Sequence, residues 1–156
     1  MNIDYRLLDS TSPSFAFLRL LDQYKKHDQL IIAYDIDDTV RPYSCSSCAV
    51  VKDLIRMAKK FLNCYFIVTT CNPNIEKFKK YLEDEGLPYD AINENAPFVN
   101  YESNKIYCNL MLDDKAGLNQ SIQALQDLMD YVMREKSVIY QKQKEEEQND
   151  NRNAND

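Results

Sequence analysis

The sequence predicts an α/β domain with a mainly parallel sheet and helices on both faces. Three observations lead there. Short apolar blocks without alternation recur along the chain, as in strands buried on both faces. Stretches with apolar residues at helical spacing separate them. Turn-forming residues are scarce, with 2 glycines and 5 prolines in 156 residues, which argues against a turn-rich all-β or collagen-like chain.

Each element has its own signal. Ser12-Pro13-Ser14 reads as a helix entry, because serine caps free backbone donors and proline suits a first helical position. Phe15, Leu18 and Leu21 then recur at helical spacing, predicting a helix over about 14–26. Leu30 to Tyr34 is the first buried-strand block and runs into Asp35-Ile36-Asp37-Asp38-Thr39. A second amphipathic helix spans Val50 to Phe61 through Val51, Leu54, Ile55 and Ala58. Tyr65 to Val68 is the next strand, ending in Thr69-Thr70. Pro73 and Asn74 open a third helix that stops at Gly86. Tyr89 to Ile92 reads as a short strand, 93–104 as loop, and Ile106 to Leu112 as a fourth strand closed by Asp113-Asp114. A last helix runs from Leu118 to about Met133. Three segments follow: an N-terminal helical extension over 1–28, a core domain over 29–134, and a charged tail over 135–156 expected to fray into disorder.

The balance of 25 acidic against 19 basic residues sets a net charge of -6. No global basic field draws the chain to nucleic acid or an anionic membrane, so nucleic acid is not favoured as a partner. No apolar run reaches the ~18–20 residues of a membrane span. The acid-bearing N-terminus does not resemble a secretory signal, and 5 cysteines, an odd number, read as reduced thiols. The expectation is a soluble, cytoplasmic protein. Cys45 and Cys48 have the spacing of half a zinc site, but no second close Cys or His pair follows. His27 is the single histidine, which excludes a histidine base in the central cleft.

In parallel sheets, ligands bind at the carboxyl ends of the strands. There this sequence places Asp35, Asp37 and Asp38, then Thr70, then Asp113 and Asp114. Carboxylates gathered at one edge repel unless a cation sits among them. Oxygen ligands favour Mg²⁺, and the chemistry suggested is phosphoryl transfer with an aspartate nucleophile.

These residues carry a resemblance. Tyr34-Asp35-Ile36-Asp37-Asp38-Thr39-Val40 resembles the first motif of the haloacid dehalogenase (HAD) superfamily, and Val68-Thr69-Thr70-Cys71-Asn72-Pro73 is similar to the second. Lys105 stands for the third-motif lysine, with Lys115 as fallback, and Met111-Leu112-Asp113-Asp114 resembles the fourth. The likeness covers about residues 30–118 and implies a HAD-like Rossmannoid three-layer sandwich.

The resemblance further implies a Mg²⁺-dependent phosphatase. Asp35 would form an aspartyl-phosphate and Asp37 would act as general acid and base. Thr70 (or Thr69) and Lys105 would bind the phosphoryl group. Asp35, the Asp37 carbonyl and either Asp113 or Asp114 would hold the metal. Asp38 stands where the family often has glycine, and Asn72 where a Thr-x-Arg-Pro variant has arginine. The connections are too short for a cap domain. An open site implies a phosphorylated macromolecular substrate, or a lid from a neighbouring subunit, which leaves a homo-oligomer open. The alternatives are a nucleotidase or polynucleotide end phosphatase, and a catalytically silent interaction protein on the same fold. A response-regulator receiver is excluded, since its phosphoacceptor aspartate follows a middle strand, with Thr and Lys later.

Overall fold

The computed structural model describes residues 14–43, 48–100 and 105–153, from 145 onward by backbone alone. Ser12, Pro13, Cys45 and the last residues of the tail lie outside them, so the helix-entry proline and the Cys45–Cys48 pair cannot be placed together.

Four helices and four strands alternate in the order α1 (Phe15–His27), β1 (Leu30–Asp35), α2 (Ala49–Phe61), β2 (Cys64–Thr69), α3 (Ile75–Asp84), β3 (Ala91–Ile92), β4 (Leu110–Leu112) and α4 (Leu118–Asn153). The strands form one all-parallel sheet in the order β3-β2-β1-β4. The chain winds from β1 outward to β3, then returns to the other side of β1 for β4. The direction therefore switches between β1 and β4.

Local chemistry sets the element ends. Ser14 caps α1 by accepting from the Phe17 amide at 3.1 Å, and Asn74 caps α3 through the Lys77 amide at 3.3 Å. Gly86 takes φ +61° after α3, a conformation a side chain would strain. β1 is buried along Leu30–Tyr34, which explains its lack of alternation.

The pleat splits the core in two. Leu30, Ile32, Tyr34, Phe66, Val68 and Leu112 face one way and meet Leu20 of α1, Leu54 and Ile55 of α2, Phe78 and Leu82 of α3, and Leu125 and Leu128 of α4. On the other face Ile31, Ala33 and Ile67 meet Ala96, with Val99, Ile106, Tyr107 and Cys108 packed around them. The expected helices on both faces are thus corrected. The buried residues of all four helices lie on one face, and the described parts of the return from β3 to β4, residues 93–100 and 105–109, cover the other as loop. That segment carries no helical period, so it has no stripe to bury as a helix.

Two strands are shorter than their apolar runs. β4 begins at Leu110 rather than Ile106, because Asn95 occupies the backbone groups that a ladder would pair. Its Nδ2 donates to the Lys105 carbonyl at 3.0 Å, and its Oδ1 accepts from the Tyr107 amide at 2.7 Å. β3 loses Tyr89 and Asp90 because the Asp90 carboxylate itself accepts from the Phe66 amide at 2.7 Å. At the other extreme, α4 continues past Met133 to Asn153. The charged tail was read as a fraying end, yet its Glu, Gln, Lys and Arg are good helix formers. Among the described residues, no helix is long and apolar enough to cross a membrane.

Candidate active site

The site is built at the carboxyl ends of β1, β2 and β4. In register, Asp35 lies opposite Thr69 and Tyr34 opposite Leu112, so the chain leaving β4 brings Asp113 level with Asp35. Alternation sets Asp35, Thr69 and Asp113 on the loop-covered face of the sheet. The switch between β1 and β4 opens between Asp35 and the Asp113-Asp114 pair, where a ligand crevice is expected in such sheets.

After Asp35 the chain makes a tight loop. The Val40 and Arg41 amides both donate to the Ile36 carbonyl, at 3.0 and 2.8 Å, and the Asp38 amide donates to the Arg41 carbonyl at 2.8 Å. This turn needs a left-handed residue, and Asp38 supplies it at φ +61°. Aspartate tolerates that conformation better than most residues, and here its Oδ1 also accepts from the Tyr43 amide at 2.8 Å. Thr39 is fully buried and its Oγ1 accepts from the Asp114 amide at 3.1 Å. One hydroxyl thereby ties the loop after β1 to the loop after β4, two stretches 75 residues apart in sequence.

The electrostatics are those of crowded acids. Burial raises the Asp35 carboxyl above its ordinary 3.8, the Ile36 backbone opposes this, and the charges of Asp113, Asp114 and Asp37 push it further up. Asp37, Asp113 and Asp114 are thus each near enough for their charge to be felt at Asp35. Asp37 is held in an ion pair with Arg41, which donates through Nε at 2.9 Å and through its terminal nitrogen. Arg41 lies over the Phe78 ring at 5.1 Å. Among the described residues, no group of three or more His, Cys, Asp or Glu side chains is arranged to hold a metal ion.

The threonines divide their tasks. Thr69, opposite Asp35, has its Oγ1 sealed from solvent with no hydrogen-bond partner among the described residues. The Thr70 Oγ1 accepts from the Asn72 amide at 3.2 Å, which leaves its O–H free to donate elsewhere. Asn93 was not singled out from the sequence, yet its side chain clasps the Thr70 backbone. Its Oδ1 accepts from the Thr70 amide at 2.9 Å, and its Nδ2 donates to the Thr70 carbonyl at 2.7 Å. The signal available in sequence is an asparagine just after a strand, a residue type that tolerates the left-handed region, and here its φ is +54°.

Lys105 begins the segment folded over the sheet face. Its charge acts on the Cys108 thiol, which hydrogen-bonds with the Ala33 backbone. The charges that act on Asp35 are carboxylates, and Lys105 is not among them. Lys115 follows the fourth-motif acids, and its amide donates to the Asp113 Oδ1 at 2.8 Å. A cavity of about 450 Å³ lies away from these acids, at the amino ends of β1 and β4, lined by Gln23, His27, Phe98 and Tyr107 among others. His27 sits exposed in the last turn of α1.

Compared with protein-family models, curated proteins and solved structures, the chain finds no significant match. The fold class is accordingly read from the structure itself: an α/β domain on a four-stranded parallel sheet.

Proposed function

We propose that the protein is a Mg²⁺-dependent phosphomonoester hydrolase of the HAD type, capless, acting through an aspartyl-phosphate on Asp35. The observation that supports it is the position of Asp35. It ends β1 at the point where strand order reverses, with Asp37, Asp113 and Asp114 acting on it.

In this reading an Asp35 carboxylate oxygen attacks phosphorus and the ester P–O bond breaks. Asp37 gives a proton to the departing oxygen. Water then attacks the phosphorus of the acyl phosphate while Asp37 takes its proton, and the bond to Asp35 breaks to release phosphate. Thr70 donates its O–H to the transferring group, and Lys105 neutralises its charge. Asn93 keeps the Thr70 backbone in place.

Burial first, then the charges of Asp113, Asp114 and Asp37, raise Asp35, and a cation at this edge would offset both costs. Asp35, the Asp37 carbonyl and Asp113 or Asp114 would hold the ion, an oxygen-only set that suits Mg²⁺. Mg²⁺ typically takes only one or two carboxylates, so this set asks for fewer than three acidic side chains. When bound, the ion supplies positive charge to the phosphoryl oxygens. No folded insert interrupts the described connections, which leaves the edge open to a phosphate on a macromolecule.

The Asp37–Arg41 ion pair favours a second reading, a catalytically silent protein that keeps the fold, since it occupies the proposed general acid. Turnover of an aryl phosphate with Mg²⁺, with EDTA and in Asp35→Asn separates the two. Activity that requires Mg²⁺ and vanishes in the variant supports the hydrolase. Nucleotides and phosphorylated nucleic-acid ends are then the first substrates to screen. No turnover on any of these, with no Mg²⁺ binding by calorimetry, supports the silent protein.

A further inference from the structure

We propose that α4 pairs antiparallel with α4 of a second copy of this chain, each projecting half lying in a groove of the other. The inference does not depend on the chemistry at Asp35.

The groove runs between α2 and α4 and encloses about 430 Å³. Its floor includes Leu54 and Met129, and its walls leave Val50 63% and Met57 42% exposed. Asp127 and Asp130 stand on its α4 side. On α2, Asp53 pairs with Arg56 and Lys52 with Glu85. Asp127 accepts from the Gln123 Nε2 at 2.8 Å, and neither Asp127 nor Asp130 has an ion-pair partner among the described residues. The groove is therefore apolar along its floor and carries negative charge along its α4 side. Its complement is an apolar helix face bearing a cation.

The chain carries such a face on the same helix. Past Met133, α4 leaves Tyr140 66% exposed, and Lys144 is exposed one turn further. Positions 126, 130, 133, 137, 140 and 144 step by three or four and so share one face. The stripe that lines the groove, Gln126, Asp130 and Met133, continues directly as Ser137, Tyr140 and Lys144. A two-fold axis across Glu135 sets the partner's Tyr140 level with Asp130. The partner's Lys144 then lies level with Gln126, one residue from Asp127. Ser137 is small, and its hydroxyl donates to the Met133 carbonyl of its own helix at 3.0 Å, so it brings no unmatched polar group to the crossing. Such a contact is self-complementary and closes as a dimer.

Sedimentation equilibrium of the full chain tests it. The expected species has twice the 18.3 kDa chain mass. Tyr140→Glu and Lys144→Asp should each weaken association by about tenfold or more, and Asp127→Lys combined with Lys144→Asp should restore it. Both single substitutions are at exposed positions, and far-UV circular dichroism confirms that they fold. A wild-type monomer up to about 100 µM overturns the proposal. So does a dimer indifferent to both single substitutions, or one weakened by Lys144→Asp and not rescued by the charge swap.

Discussion

At the scale of single residues, Asp35 is the electrostatically costly group of the site, partly buried beside other carboxylates. Asp35 held above its ordinary 3.8 has an electrostatic cost when ionised. Folding therefore favours its neutral form relative to the unfolded chain. That contribution is present in full below 3.8 and is lost as pH rises through the raised value. In metal-free buffer, Asp35→Asn should therefore melt above wild type at neutral pH. Solvent screening holds the gain below about 1 kcal/mol, or about 2–4 °C. The two melting curves should converge near pH 3.8, and added Mg²⁺ should raise wild type more than the variant. A wild type that melts above the variant without metal would contradict the electrostatic cost of the buried Asp35 carboxylate. Asn93 gives a second test. Asn93→Ala loses both hydrogen bonds to Thr70 and must hold φ +54° with a Cβ, costing about 1–2 kcal/mol. Asn93→Gly removes the hydrogen bonds while easing the backbone. If the clasp positions Thr70, both variants should lower kcat on an aryl phosphate, and an unchanged kcat would deny the clasp a role in positioning. The acids and threonines were legible in sequence because they follow apolar blocks abruptly. Asn93 was not, because its role is a contact with a residue 23 positions earlier.

At the scale of elements, side-chain atoms decide where strands begin and which loops touch. Asn95 and Asp90 replace ladder partners with carboxamide and carboxylate groups. Apolar runs register burial, not pairing, so β3 and β4 were read too long. Thr39 joins the loops after β1 and β4. Thr39→Val keeps the shape but leaves the Asp114 amide without its acceptor, for about 1 kcal/mol of stability. The same change should weaken Mg²⁺ binding measured by calorimetry, through freedom of the Asp113-Asp114 turn. Unaltered Mg²⁺ affinity would mean that this tie does not shape the site. The helices were the most legible elements. Their starts and apolar stripes are local, and α1, α2 and α3 appear within a residue or two of the expected ends.

At the scale of the whole molecule, the sheet has two unequal faces. Phe66 and Ile67 are adjacent in β2 and both fully buried, yet Phe66 faces four helices and Ile67 faces a loop. Phe66→Ala should cost about 3–5 kcal/mol and accelerate hydrogen exchange throughout the sheet. Ile67→Ala should cost about 2–5 kcal/mol and raise exchange most around Ala96 and Cys108. Equal exchange patterns in the two variants would contradict a loop-covered face. The sequence by itself determined the alternation of helices and strands, the acids at the strand ends, and the absence of helical character between β3 and β4. Those properties follow from the local spacing of apolar and polar side chains, which reports burial within a few residues. Tertiary structure alone decided the order β3-β2-β1-β4, which sets Asp113 beside Asp35, and the gathering of all four helices on one face. Strand order and helix placement are fixed by pairing and packing between segments far apart in the chain, and local periodicity carries no record of them.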